Sequence, residues 1–139
     1  MSDLDAVFAL DRICFPAELA FPKHLFAFLL ASPDCLCLGV KDRGRLAGFI
    51  IAQAINTRKA QLVTLDIAQS YRRRNLARKL LMVVHGFLQS RGFRSMVLEV
   101  AVNNKSALNL YHKLGYRQLS IQKHYYPDGT DAYKMGKTL

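Results

Sequence analysis

The amino-acid sequence predicts a mixed α/β fold: an α+β sheet with helices packed on it, in the order α-α-β-β-β-α-β-α-β-β. Three observations carry that prediction. The chain has 139 residues and is 51% hydrophobic, enough for one domain spanning residues 1–139 with its own core. Stretches of helical spacing and of strand alternation succeed one another with no linker, repeat or low-complexity tract between them. At the centre, Gln61 to Gly115 reads as strand, basic turn, amphipathic helix, strand and helix, a sequence of elements that builds a sheet with helices upon it.

Taken in order, residues 3–13 place Leu4, Val7, Leu10 and Ile13–Cys14 at helical intervals. Phe15 to Pro22 breaks that pattern with two prolines, and its apolar side chains either line a pocket or fold onto the core. Lys23 to Ala31 is a second helix, stopped by Ser32-Pro33-Asp34. Cys35 to Val40 is a short strand, and Asp42-Arg43-Gly44 is a hairpin turn with glycine where positive φ is needed. Leu46 to Ile55 is apolar almost throughout, so it reads as a central strand, and Gln61 to Ala68 completes the meander. Leu76 to Arg91 is a helix with a stripe of Leu76, Leu80, Leu81, Val84, Phe87 and Leu88, closed by Gly92. Ser95 to Val102 is a strand. The next helix starts near Asn103 and Asn104, both good caps, ends at Gly115, and presents Ala107, Leu110, Tyr111 and Leu114 on one face. Strands over Tyr116–His124 and Ala132–Leu139 flank a polar connection, Tyr125 to Asp131.

Twenty Lys and Arg stand against ten Asp and Glu, a net charge of +10. Such a balance suits a polyanion: nucleic acid, phospholipid or a phosphate-rich cofactor. No apolar run approaches the roughly 18 residues that span a bilayer. The start, Met-Ser-Asp-Leu-Asp, is acidic and helical rather than a signal peptide, so a cytoplasmic protein is expected. Cys14, Cys35 and Cys37 lack zinc spacing, and Cys35 and Cys37 share a strand face as buried reduced thiols. His24, His85, His112 and His124 share no metal spacing either, so no metal is expected.

The chemistry gathers in three places. The turn Tyr71-Arg72-Arg73-Arg74-Asn75-Leu76-Ala77 sets guanidinium groups beside the unpartnered N–H groups of a helix start, which is an anion site. Glu99 lies in the otherwise apolar strand VLEVAV, sharing its face with Val97 and Ala101, a setting that suits either an ion pair or a general base. Tyr111 follows twelve residues later on an apolar stripe, where it either packs or works.

With Leu65-Asp66-Ile67 before the turn, Leu98-Glu99-Val100, Asn104 and Leu110-Tyr111-His112-Lys113-Leu114-Gly115-Tyr116 in this order and spacing, the chain resembles the GNAT superfamily of acetyl-CoA-dependent N-acetyltransferases over nearly its whole length. It is most similar to the RimI-type enzymes, which acetylate the N-terminal alanine of a ribosomal protein. The tail Tyr125-Tyr126-Pro127-Asp128-Gly129, with Asp131, Ala132 and Met135, is similar to that subfamily too.

The resemblance implies the GNAT fold without the family's usual first strand, with the strands near 61–68 and 95–102 parallel and splayed around the cofactor. It implies acetyl-CoA as co-substrate, held by Leu65, Asp66, Ile67, Arg72, Arg73, Arg74, Asn75, Leu76, Ala77, Arg78, Asn104 and Tyr111. A backbone N–H in Leu65–Ile67 would hold the thioester oxygen. Asp66 could equally form a core-edge ion pair, and Asn104 could equally be a helix cap. Glu99 is implied as base and Tyr111 as the acid that protonates the leaving thiolate. Phe15, Glu18, Tyr125 and Tyr126 are implied at the substrate site. Two departures stand out: Asn75 where the family carries glycine, and Ala101 where it often carries arginine. The implied acceptor is the α-amino group of a protein N-terminus, a ribosomal protein among the candidates, and the enzyme a monomer or homodimer. An α-amine with pKa near about 8 needs only a modest base. The alternatives are acetyltransfer to small amines or lysine side chains, or a non-catalytic module binding CoA or nucleic acid.

Overall fold

The computed structural model describes residues 2–139. Ser2 accepts the N–H of Asp5 and opens helix α1, Asp3–Cys14. Helix α2 covers Lys23–Ala31, and the strands β1 (Cys35–Asp42), β2 (Arg45–Ala54) and β3 (Lys59–Ile67) form an antiparallel meander. The hairpin turn takes positive φ at both Arg43 and Gly44. A 3-10 turn at Gln69–Tyr71 leads to α3, Leu76–Ser90, then β4 (Ser95–Ala101), α4 (Lys105–Lys113), β5 (Arg117–Gln122) and β6 (Ala132–Thr138). One six-stranded sheet results, ordered β1-β2-β3-β4-β6-β5. Among the described residues no strand precedes α1, as the sequence implies.

Both faces of the sheet are covered at β2, which explains its unbroken apolar run. Phe49 and Ile51 pack under α1 and α2, while Ile50 and Ala52 pack under α3 and α4. Phe26 of α2 is fully buried, with its ring 5.7 Å from Phe21 and 6.0 Å from Phe49. Trimming it to alanine should cost about 3–5 kcal/mol, more than any cap in this chain could supply. Leu80, Leu81, Val84 and Leu88 are the buried stripe of α3. Phe87 is 40% exposed, a correction to the sequence stripe: Leu88 takes the core position and the Arg91 guanidinium covers the Phe87 ring at 4.8 Å. Ile13 is likewise 73% exposed, because Asp11, not Ile13, turns inward near the end of α1. His85 pairs with the Tyr116 hydroxyl at 2.6 Å, a core role for one of the four histidines. Cys14, Cys35 and Cys37 are unpaired and partly buried, and all three pack in the α1/α2 layer, as alternation places Cys35 and Cys37.

Two irregularities shape the middle of the sheet. Ile51 pairs with Thr64 and Ala52 with Leu62, so Val63 is an extra residue that reverses the facing of β3. Before it Ala60 and Leu62 face α3 and α4. After it Leu65 and Ile67 do, and Asp66 turns to the α1 side opposite Phe49. Beyond that, β3 and β4 run parallel for only three pairs, Lys59–Ser95, Ala60–Met96 and Gln61–Val97. Past Gln61 they part, which is the splay the sequence implies.

Among the described residues no helix is long and apolar enough to cross a membrane.

Candidate active site

The basic turn sits at the C-terminal end of β3, where the splay is wide. Arg73 and Asn75 both hold left-handed dihedrals, φ 64° and 59°. Asn75 is the N-cap of α3, yet its side chain makes no capping bond. Lys79 is the first residue of the helix whose N–H finds a partner, the carbonyl of Asn75, and no partner is found for the N–H groups of residues 73–78. Those six donors, with the positive end of the helix dipole, fit a pyrophosphate. Asparagine is among the residues that enter the left-handed region most readily, so the glycine-to-asparagine departure is accommodated.

The three arginines are not equivalent. Arg72 turns inward, its Nε donating to the Ile67 carbonyl at 3.1 Å and its Nη2 contacting Cys14 Sγ at 3.7 Å. It ties the end of β3 to α1. Arg74 lies 5.3 Å over the Tyr71 ring, and the Tyr71 hydroxyl donates to Asp42. The Arg73 and Arg78 side chains are exposed. Among the described residues no carboxylate forms an ion pair with any of Arg72, Arg73, Arg74 or Arg78, so the charge of the exposed Arg73, Arg74 and Arg78 is open to a ligand.

Across the splay, Glu99 stands on β4 opposite Lys134 of β6, with Val97 and Ala101 on its own face. It is half-buried rather than enclosed in the apolar strand, which corrects the setting read from VLEVAV. Its negative charge, after burial and the neighbouring Tyr125, helps to push Tyr126 up to about 12. Glu99 and the tyrosine pair therefore share one neighbourhood. Tyr125 and Tyr126 meet edge to face at 4.9 Å, and Tyr125 is 47% exposed.

Tyr111 comes from the other layer. Its ring is buried and lies 5.6 Å from that of Tyr116 in a T-shaped contact. Burial holds its hydroxyl well above the ordinary phenol range, with smaller contributions from Tyr126 and Asp66.

Asn104 is a helix cap: its Oδ1 accepts from Ala107 N at 3.3 Å and from Ser106 Oγ at 3.4 Å. Asp66 is buried at 1% and makes no ion pair among the described residues, which overturns that reading of it. Phe15 is half-buried and Glu18 exposed, both in the loop after α1. Cys14, the neighbour of Phe15, donates its thiol to the Ile67 carbonyl at 3.5 Å, so this loop begins beside the end of β3. Leu65, Ile67, Leu76 and Ala77 are partly buried around the same corner.

Two features escaped the sequence. Gly48 of β2 is required here, because a Cβ would lie 2.8 Å from Ile67 Cδ1 and 3.1 Å from the Asp66 carbonyl. Asp11 is 1% exposed and accepts the Phe21 N–H at 2.8 Å, a buried carboxyl that the apolar spacing of residues 3–13 does not mark. Among the described residues no three of His, Cys, Asp and Glu gather closely enough to hold a metal ion. Two cavities, of about 360 Å³ between α1 and the β1–β2 hairpin and about 550 Å³ beside β5 and β6, lie away from Glu99, Tyr111 and the basic turn.

A splayed mixed sheet with an open helix N-terminus at its gap matches what the sequence resemblance implies, and the chain belongs to the Acetyltransferase (GNAT) family, matched over residues 4–116. It is an N-acetyltransferase enzyme. More particularly, it is similar to the N-alpha-acetyltransferase of Sulfurisphaera tokodaii, at 26% identity over 151 residues that cover all of this chain and 89% of the relative. It is similar to the solved ribosomal-protein-S18-alanine N-acetyltransferase of Escherichia coli, at TM-score 0.88 and 29% identity, over 98% of this chain and 87% of that one. A NatC complex bound to Gag peptide and CoA has the same fold, at TM-score 0.84 and 21% identity, over 98% and 90% of the two chains.

Proposed function

We propose that this chain, acting as one domain, transfers the acetyl group of acetyl-CoA to the α-amino group of a protein N-terminus, a ribosomal protein among the candidates. The observation that carries the reading is the run of unpartnered N–H groups at residues 73–78, at the end of β3 where β3 and β4 part. The names of two of the relatives reported above support the acceptor class.

In this reading acetyl-CoA supplies an acyl group activated as a thioester. Residues 73–78 bind the diphosphate through backbone N–H groups, and exposed Arg73, Arg74 and Arg78 add charge. Arg72 serves from behind, fixing the end of β3. The free edge of Leu65, Asp66 and Ile67 offers backbone groups to an extended arm and an N–H to the developing oxyanion. Asn104 shapes the same pocket from the start of α4. Glu99 accepts the proton that the ammonium must lose, directly or through water. Tyr111 stays protonated across the working pH range, since burial raises the pKa of its hydroxyl, and is the donor to the departing sulfur. Phe15, Glu18, Tyr125 and Tyr126 border the entering peptide.

Thiol release should be measured with short peptides, free lysine, small amines and no acceptor. Turnover confined to peptides with a free N-terminus supports the proposal. Turnover of lysine or small amines alone moves the acceptor class, and none at all with salt-sensitive nucleic-acid binding makes the chain a binding module. In the first case the paired change Glu99→Gln and Tyr111→Phe should lower kcat by at least about 100-fold while CoA still binds.

A further inference from the structure

Two carboxyl groups meet in the interior beside the site, and no step above uses them. Asp11 of α1 and Asp66 of β3 are each 1% exposed. Asp11 Oδ2 accepts the Phe21 N–H at 2.8 Å, and Asp66 Oδ1 accepts the Thr64 hydroxyl at 2.5 Å. Asp66 Oδ2 is buried and, among the described residues, is the one buried side-chain polar atom with no donor. The Asp11 carboxyl, reaching in from α1, is the neighbouring group that acts on Asp66. Two carboxyl oxygens bond to each other only when one of them keeps a proton. We infer that Asp11 and Asp66 are positioning residues, a proton-sharing carboxyl pair that holds the acceptor loop, Phe15–Pro22, against the strand that presents the thioester.

The connections run both ways from the shared proton. Through the Phe21 N–H, Asp11 fixes the far end of the loop whose near end Cys14 fixes to the Ile67 carbonyl. Asp66 belongs to the segment Leu65–Ile67, whose backbone borders the splay. The groups that face Asp66 are Asp11 and Cys14 from α1, Thr64 from its own strand, Arg72 from the turn and Tyr111 from α4. Burial, then Asp11, push Asp66 up to about 9, against smaller opposing contributions from Thr64 and Arg72. Arg72 is the one cation of the set, and it is engaged with Ile67 and Cys14. Loss of the proton therefore sets two carboxylates face to face in the interior against a single guanidinium, Arg72, whose contribution is smaller than that of burial and Asp11, and the contact between loop and strand opens.

The sign of the linkage is fixed by this arrangement. The folded protein holds a proton that the unfolded chain releases above about pH 4, so stability falls as pH rises between about 4 and about 9. Asp66→Asn keeps an N–H donor toward Asp11 and cannot titrate. Urea unfolding of the whole chain from about pH 5 to about pH 8.5 should show the wild type losing stability relative to Asp66→Asn, with a slope of about one proton. Parallel curves would overturn the pair. Should Asp66→Asn not fold, Asp11→Asn replaces it: removing the facing charge should shrink that slope, and an unchanged slope overturns the pair equally.

A kinetic arm rests on the acetyl-transfer reading. Each enzyme's kcat/KM for an N-terminal peptide is compared with its own value at about pH 7. The wild type should fall about tenfold per unit above about pH 9, and Asp66→Asn should not. Superimposed profiles count against a positioning role. A wild type that acetylates no peptide defeats the proposed acceptor, while the unfolding arm still decides the pair.

Discussion

Helices α3 and α4 both open on asparagine, and the two asparagines do opposite things. Asn104 folds its side chain back onto Ala107 N and closes its helix end. Asn75 sits in the left-handed region, bonds to nothing with its side chain, and leaves its helix end open. One residue type thus gives a satisfied terminus in one place and a set of idle donors in the other. The difference lies in the backbone entering the helix: Asn104 follows a two-residue turn after β4 and has φ −86°, whereas Asn75, like Arg73 two residues before it, has positive φ. An unsatisfied helix end costs stability unless a ligand uses it. The contrast therefore points to the α3 terminus as the one kept for an anion.

Substitutions at the two caps should separate accordingly. Asn75→Ile forces a β-branched side chain to positive φ, at about 1–3 kcal/mol, and crowds the open donors. CoA affinity, read by titration calorimetry, should fall by on the order of 100-fold, and an unchanged affinity would move the diphosphate elsewhere. Asn104→Ala should cost about 1 kcal/mol of stability in chemical denaturation and weaken CoA far less than Asn75→Ile does. An equal loss of affinity at both would show that Asn104 also touches the ligand. The smallest effect is expected from Asn75→Gly, which suits the same dihedrals: CoA affinity within about threefold of wild type and stability within about 1 kcal/mol.

Much of this was legible in the residues, and the misses have physical causes. The limits of α2 at Lys23 and Ala31 and the start of α3 at Leu76 follow from prolines, caps and spacing, and the structure agrees. Strand ends shifted by one or two residues, as at Lys59, because pairing partners rather than local propensity decide where a strand stops. Phe87 and Ile13 satisfy helical spacing but lie at the border of their stripes, where Leu88 and Asp11 take the inward positions. Asp11 was invisible because a buried carboxyl needs a partner, and that partner faces it only through the bulge at Val63. No alternation count reveals an extra residue of that kind. For the site, the basic turn was legible as a helix start beside a strand end, yet the Arg72 bond to Ile67 and the need for Gly48 depend on contacts that the sequence does not display.

The brief pairing of β3 with β4 has a mechanical consequence. Three residue pairs, and the Arg58 carbonyl accepting from the Arg94 and Ser95 N–H groups beside them, stitch the β1-β2-β3 half to the β4-β6-β5 half through backbone bonds. Downstream of that stitch each half carries a raw seam facing its counterpart, so the two can breathe like a hinge whose pin lies at Lys59–Gln61. An elongated molecule laid along the gap would act as a zipper between them, and its departure would hand that freedom back.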